Sequence, residues 1–227
     1  MSPPRSRVEI GRQGARYYDL LLNLLSLGRY SNFVRRVVQG MGIRPGQSIL
    51  DLGSGTGRSA CLLAEETGRS GRIVGLDISD EMLRRARNRC GAYPAVTFEK
   101  RRIEHSLPYE DEFDKVYISF VLHGFEDSDK LKIIGNSYQA LKAGGEFYIL
   151  DYGEFDIEEM WSPLRWAFTH WECQLAVEFL TLNLKEMLQG QGFTGLEETF
   201  FLKGYLRLMK AFKPFPSASR EEGDVRV

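Results

Sequence analysis

Asp51 stands two positions ahead of Gly53 in the run Asp51-Leu52-Gly53-Ser54-Gly55-Thr56-Gly57, and an acid leading into a glycine loop is the first chemistry-bearing arrangement in this 227-residue chain. Glycines at 53, 55 and 57 tolerate positive φ and let a ligand approach the backbone. The helical pattern that begins at Arg58 leaves its first N–H groups free to donate. Together they make a nucleotide-type cradle. The adjacent carboxylate can accept from a cationic amine and would repel a pyrophosphate. Neither Gly53 nor Gly55 opens a full G-x-G-x-x-G, and no G-x-x-x-x-G-K-[ST] is present. A second acid, Asp77, closes Val74-Gly75-Leu76-Asp77, where a carboxylate can satisfy both hydroxyls of a ribose, whichever nucleotide carries it.

Three histidines could move protons. His123 follows a strand pattern at 114–119 and is the base candidate; a structural role in capping the next loop is its equal alternative. His170, beside Trp171 and Glu172, reads as packing, and His105 as exposed. Cys61, Cys90 and Cys173 lie far apart without a C-x-x-C spacing. They read as small core residues in a reducing cytoplasm, with neither a disulfide nor a metal site expected.

These residues need elements that bring them to one edge. Apolar runs at 47–52, 72–77, 95–100, 114–119 and 146–151 read as strands, and helices are expected over 57–68, 80–91 and 128–142. Ser79 caps the second of these, and Gly144-Gly145 is expected to stop the third. Strand–helix alternation of this kind gives a parallel, doubly wound α/β sheet. Ahead of it, Ala15 to Leu27 and Tyr30 to Met41 read as two helices, the latter with Ser31 as a cap. Beyond it, Glu154 to Leu180 reads as an aromatic-rich helical insert, Asn183 to Gln191 as a short helix, and 194–201 with 204–212 as a final strand pair turning at Gly204. Residues 1–13 and 214–227 read as disordered flanks of a single domain over 14–213.

The composition excludes some partners. A formal net charge of −1 gives no support for binding nucleic acid through overall charge. Eight arginines precede Pro45 against only Glu9 and Asp19, so the N-terminal segment is either a contact for anionic lipid or a solvated helix face. No apolar run approaches the roughly 18 residues that span a bilayer, and Met1 to Arg5 lacks an apolar signal core. A cytoplasmic protein, peripheral to the inner membrane face at most, is expected. Its oligomeric state, monomer or homodimer, stays open.

Asp51 to Gly57, Val74-Gly75-Leu76-Asp77-Ile78-Ser79 with Met82 downstream, and Leu141-Lys142-Ala143-Gly144-Gly145-Glu146-Phe147 resemble, in that order, the motifs of class I S-adenosylmethionine-dependent methyltransferases. The resemblance covers about residues 45–152. It implies a Rossmann-like sheet of seven mostly parallel strands with one antiparallel strand at or near the edge. It implies S-adenosylmethionine as cofactor, held by Asp51, Gly53, Ser54, Gly55, Gly57, Asp77, Ile78, Met82 and Ser119, with the adenine beside Arg102 and Ile103. By position alone, Tyr17 or Tyr18 is the lid candidate over the cofactor.

The flanks resemble the ubiquinone/menaquinone-biosynthesis C-methyltransferases in Tyr18-Asp19-Leu20, Leu25 to Arg29, Phe120 to Asp127, Tyr148 to Tyr152 and Lys203 to Leu206. That finer resemblance implies a small lipophilic acceptor, quinol-like and methylated at a ring carbon. A phospholipid amine, another small N- or O-acceptor, and a non-catalytic nucleotide-binding role are the alternatives. Trp161, Trp166, Phe168 and Trp171 could wall the acceptor pocket or be ordinary core. The chain departs from the family at Arg102, where an acid that accepts from adenine is usual, so adenine would be read by the backbone at Ile103, by stacking under Arg102, or by Glu104. It departs again at His123-Gly124, where the family carries Arg-Asn.

Overall fold

The computed structural model describes residues 29–160, 162, 165, 166 and 174–216. The expectations for Tyr18, the 15–27 helix, both termini, Trp161, Phe168, His170, Trp171 and Cys173 fall outside these residues.

The chain enters through helix α1 (Arg29–Gly40) and then alternates β1 (Ser48–Leu52), α2 (Arg58–Thr67), β2 (Arg72–Asp77), α3 (Asp80–Arg89), β3 (Val96–Lys100) and β4 (Phe113–Ser119). After a short 3-10 turn at Leu122–Gly124 come α4 (Asp127–Ala140), β5 (Leu141–Tyr152), α5 (Gln174–Phe179), α6 (Leu184–Gly190), β6 (Thr194–Phe201) and β7 (Leu206–Phe212). The seven strands form one sheet in the order β3-β2-β1-β4-β5-β7-β6. All pairings from β3 through β5 are parallel, and β7 runs antiparallel to both β5 and β6.

Side-chain alternation along the strands feeds two cores. Leu50, Leu52, Val116, Ile118, Phe147 and Ile149 meet Ile133 and Ile134 of α4 and Leu184 and Leu188 of α6 on one face. Ile49, Ile73, Tyr117, Tyr148 and Leu150 meet Val34, Val37 and Val38 of α1 and Ala60 to Ala64 of α2 on the other. Each Leu or Ile removed from water in this way contributes about 1.5–3 kcal/mol, so the sheet is held from both sides. The strand order reverses at β1, which lies between β2 and β4. In such sheets ligands bind beyond the carboxyl ends of the strands at the point of reversal.

Three local expectations are corrected. Gly144-Gly145 does not stop a helix. The helix α4 ends at Ala140, Leu141 is already extended (φ −75°, ψ 139°), and the glycines lie inside β5. Gly144 takes φ +74°, and pairing jumps from Phe113↔Leu141 to Lys115↔Glu146. A side chain at 145 would come within 2.8 Å of the Lys142 carbonyl, so these glycines permit an irregularity in the strand. Ser31 lies within α1 and accepts from Arg58 Nη1 instead of capping. Cys61 and Cys90, read as free thiols, are joined by a disulfide whose Cα atoms lie 5.4 Å apart. The two positions are 29 residues apart, and only the packing of α2 beside the end of α3 reveals their proximity.

Candidate functional site

A cleft of about 150 Å³ opens at the carboxyl ends of β1, β2 and β4. Its floor is the glycine loop. Gly53, Gly55 and Gly57 all adopt positive φ, at 70°, 51° and 78°. At Gly53 the need for glycine is steric as well as conformational, since a Cβ there would sit 2.6 Å from the Val121 side chain. Gly53, Ser54 and Gly55 line the cleft, together with Ile78, Met82, Ile103 and Ser119. Gly57 sits behind them as the residue before α2, pressed against Ala86 of α3.

Asp77 ends β2 and lines the cleft. Its Oδ2 accepts from the Gly55 N–H at 2.9 Å and its Oδ1 from the Ser79 N–H at 2.8 Å. The carboxylate therefore pins the loop to the start of α3, and each oxygen retains a further acceptor site. Burial raises its pKa above the ordinary carboxylate value, against the pull of the backbone donors.

Asp51 lies beneath the loop instead of in the cleft lining, and is 1% exposed. Its Oδ2 has no hydrogen-bond partner, nor does the buried Ser54 Oγ nearby in the loop. Burial, and secondly the charge of Asp77, push the Asp51 carboxyl up to about 7. An orphaned buried acceptor under a glycine loop is an energetically costly arrangement that a cationic donor would relieve.

The adenine side differs from the sequence reading. Ile103 and Glu104 line the cleft, whereas Arg102 does not. The Arg102 Nε instead pairs at 2.5 Å with Glu104, which is 7% exposed and needs a charge partner. His105 is exposed, and its carbonyl accepts from Asn136.

At the other end, His123 lines the cleft from the 3-10 turn after β4. Its Nδ1 lies 2.7 Å from Asp151 Oδ1, near the end of β5. Asp151 was not legible as a site residue, because nothing in its spacing from His123 carries a motif. Aromatic rings gather around the imidazole: Tyr152 at 4.9 Å and Phe179 at 6.5 Å between centroids. Phe120 and Tyr30, 6.2 Å apart, line the cleft, and Phe120 lies 6.3 Å from Tyr152. Trp166, a candidate for the pocket wall or for ordinary core, is 55% exposed and outside the lining. Arg58 lies 5.3 Å over the Tyr30 ring and donates to Ser31, which ties α1 to the start of α2 beside the glycine loop. The described residues contain no cluster of groups that could hold a metal ion.

A reversed-order sheet with one antiparallel strand near its edge, a glycine loop after β1 and an acid ending β2 define the class I S-adenosylmethionine-dependent methyltransferase architecture. Comparison with known proteins agrees. The model of a family described as "Methyltransferase domain" matches residues 43–190, and the chain belongs to that family. It is 36% identical over 154 residues to the ubiquinone/menaquinone biosynthesis C-methyltransferase UbiE of Xanthomonas oryzae pv. oryzae, covering 66% of this chain and 60% of that enzyme. An uncharacterized methyltransferase of Synechocystis sp., sll0829, is 30% identical over 84% of this chain and 87% of its own length. Among solved structures, a SAM-dependent methyltransferase from Aquifex aeolicus superposes with a TM-score of 0.60 at 19% identity, over 79% of this chain and 89% of that one. No described helix is long and apolar enough to cross a membrane.

S-adenosylmethionine carries an ammonium, a ribose diol and an adenine, and the residues present fit it. The unpartnered Asp51 Oδ2 suits a cation, Asp77 has acceptor capacity for hydroxyls, and the apolar Ile78, Met82 and Ile103 side chains suit a purine face.

Proposed function

We propose that this methyltransferase acts on a small lipophilic acceptor, a quinol-like ring methylated at carbon. The observation that carries the reading is His123, held by Asp151 among aromatic rings in the same cleft as the glycine loop. The likeness to a UbiE protein named for ubiquinone and menaquinone biosynthesis supports the choice of acceptor.

When bound, S-adenosylmethionine supplies an electrophilic methyl on a sulfonium. The chain's own groups do the rest. Asp51 and the glycine loop hold the cationic end, Asp77 the ribose, and Ile78, Met82 and Ile103 the adenine. Ser119, at the end of β4, bounds the junction between cofactor and acceptor sides. Glu104, which lines the cleft with Arg102 as its counter-charge, would accept from the adenine amine. His123 takes the proton of the acceptor's ring hydroxyl, which raises electron density at the ring carbon; once that carbon carries the methyl, its own hydrogen leaves as a proton and the oxygen regains one from His123. Phe120, Tyr30 and Phe125 keep water out and orient a flat ring, so proximity supplies much of the acceleration.

A methyl-transfer assay tests the acceptor. Transfer to a short-chain demethylquinol, with none to phosphatidylethanolamine, is expected; the reverse pattern would replace the quinol reading with a phospholipid amine. His123→Ala should lower turnover by about 10²–10⁴-fold while leaving cofactor affinity within twofold. Full activity would return His123 to a purely structural role.

A further inference from the structure

We infer that Asp151 is a positioning residue that locks the His123 ring in a single tautomer, leaving Nε2 as its proton-accepting nitrogen. The inference rests on the reading of His123 as the base, and deepens it.

The argument begins with donors and acceptors. Asp151 is 2% exposed, so water cannot complete its hydrogen bonding. Its Oδ1 accepts from the Tyr152 N–H at 2.9 Å and faces His123 Nδ1 at 2.7 Å; its Oδ2 accepts from the His123 N–H at 3.2 Å. Two of these three groups are backbone N–H donors, whose role is fixed. A carboxylate offers only acceptors, so Nδ1 must donate to it, and in a neutral ring the lone pair then falls on Nε2. One carboxylate thereby grips both the backbone and the ring of the same histidine.

The chain is shaped to allow this. Phe120 adopts φ +53°, a conformation that bulky side chains rarely take. Its N–H still bonds the Leu150 carbonyl at 2.8 Å, so the turn folds back over the end of β5 immediately after leaving β4. That reversal sets His123 beside Asp151, although the two are 28 residues apart in sequence. Tyr152 and Phe179 then limit ring rotation. Strained backbone at a site is a hallmark of geometry held for use.

In the reaction, the acceptor's hydroxyl proton moves to Nε2, while the Nδ1 proton stays between the ring and Asp151, which remains a carboxylate. An asparagine cannot replace it. With its oxygen toward Tyr152 and Nδ1, the amide NH2 confronts the His123 N–H; turned over, the NH2 confronts both the Tyr152 N–H and Nδ1, and favours the opposite tautomer.

The test is 15N NMR of histidine-labelled protein with S-adenosylhomocysteine bound, the His123 signals being assigned by their loss in His123→Gln. In the unmodified protein, Nδ1 should show the shift of a protonated ring nitrogen and Nε2 that of an unprotonated one. Asp151→Asn should mix or invert the two, lower kcat by about 10²–10⁴-fold and leave cofactor Kd within twofold. A His123 ring protonated at Nε2 in the unmodified protein would overturn the inference without any Asp151 variant, so loss of folding in Asp151→Asn cannot shield it. An Asp151→Asn spectrum identical to the unmodified one would overturn it as well, even with His123→Ala inactive. A fully active His123→Ala would instead sink the base reading, and with it any catalytic use of the pair.

Discussion

Asp51, proposed to hold the cationic end of the cofactor, ties that end to pH. Its carboxyl is raised from 3.8 to about 7, first by burial and then by Asp77. Between about pH 4 and 7 the folded chain therefore holds a proton that the unfolded chain has lost. The stability this group contributes is complete below the unfolded value and falls as pH rises, until it is gone above the folded one. For a fully buried group the change is of the order of a few kcal/mol. A cation beside Asp51 reverses the preference, so cofactor binding should release a proton. S-adenosylmethionine affinity should then rise up to about tenfold per unit between pH 5.5 and 6.5, below the titration of an ordinary α-amino group. Calorimetry across that range would show it, and Asp51→Asn should flatten the slope. Asp77→Ala should weaken cofactor binding by roughly 1.5–3 kcal/mol, the scale of hydrogen bonds to a charged group; an unchanged Kd would refute its ribose role. Both acids stand at recognisable distances from glycines, which made them legible from sequence. Asp151 was not, because its meaning comes from the adjacency of two strand ends that no local spacing encodes. Arg102 misled for a similar reason: its partner is a buried acid two residues on.

At the scale of elements, the glycine loop carries constraints from its neighbours as well as from its ligand. Gly57 has φ +78°, and a Cβ there would meet the Ala86 backbone at 2.9 Å and the Phe98 ring at 3.1 Å. Gly57→Ala combines a left-handed backbone penalty with overpacking, and should destabilise the fold by about 2–4 kcal/mol. Urea denaturation would measure it, and a change below about 0.5 kcal/mol, the scale of a surface substitution, would show that α3 can give way. Helices and strands were largely readable because their periods follow which face is buried. The reading failed where pairing decides. Gly144-Gly145 looks like a helix stop, yet the 3.6-residue period of α4 had already ended at Ala140, and strand pairing with β4 claims the residues from Leu141 on. Ser31 looked like a cap, but a tertiary contact with Arg58 uses its hydroxyl.

The whole molecule divides its labour across the sheet. The strands β1 and β2 and the helices that follow them build the side proposed for the cofactor, while the ends of β4 and β5 and the turn between them carry His123 and Asp151. Strand–helix alternation predicted a doubly wound sheet, and the resemblance to methyltransferases implied the antiparallel strand that the terminal strand pair supplies; the α2–α3 packing that pairs two cysteines lay beyond either. That cross-link, Cys61–Cys90, closes a separation of 29 residues. Restricting an unfolded loop of that length is worth about 3–4 kcal/mol. Against a typical total of about 5–15 kcal/mol, this is a substantial share. Scanning calorimetry with and without a phosphine reductant should show melting lowered by roughly 6–16 °C on reduction. A Cys61→Ala/Cys90→Ala chain should melt near the reduced value and ignore the reductant. Two preparations of one polypeptide, handled in air or under thiol, should therefore differ in protease half-life before either has met a ligand.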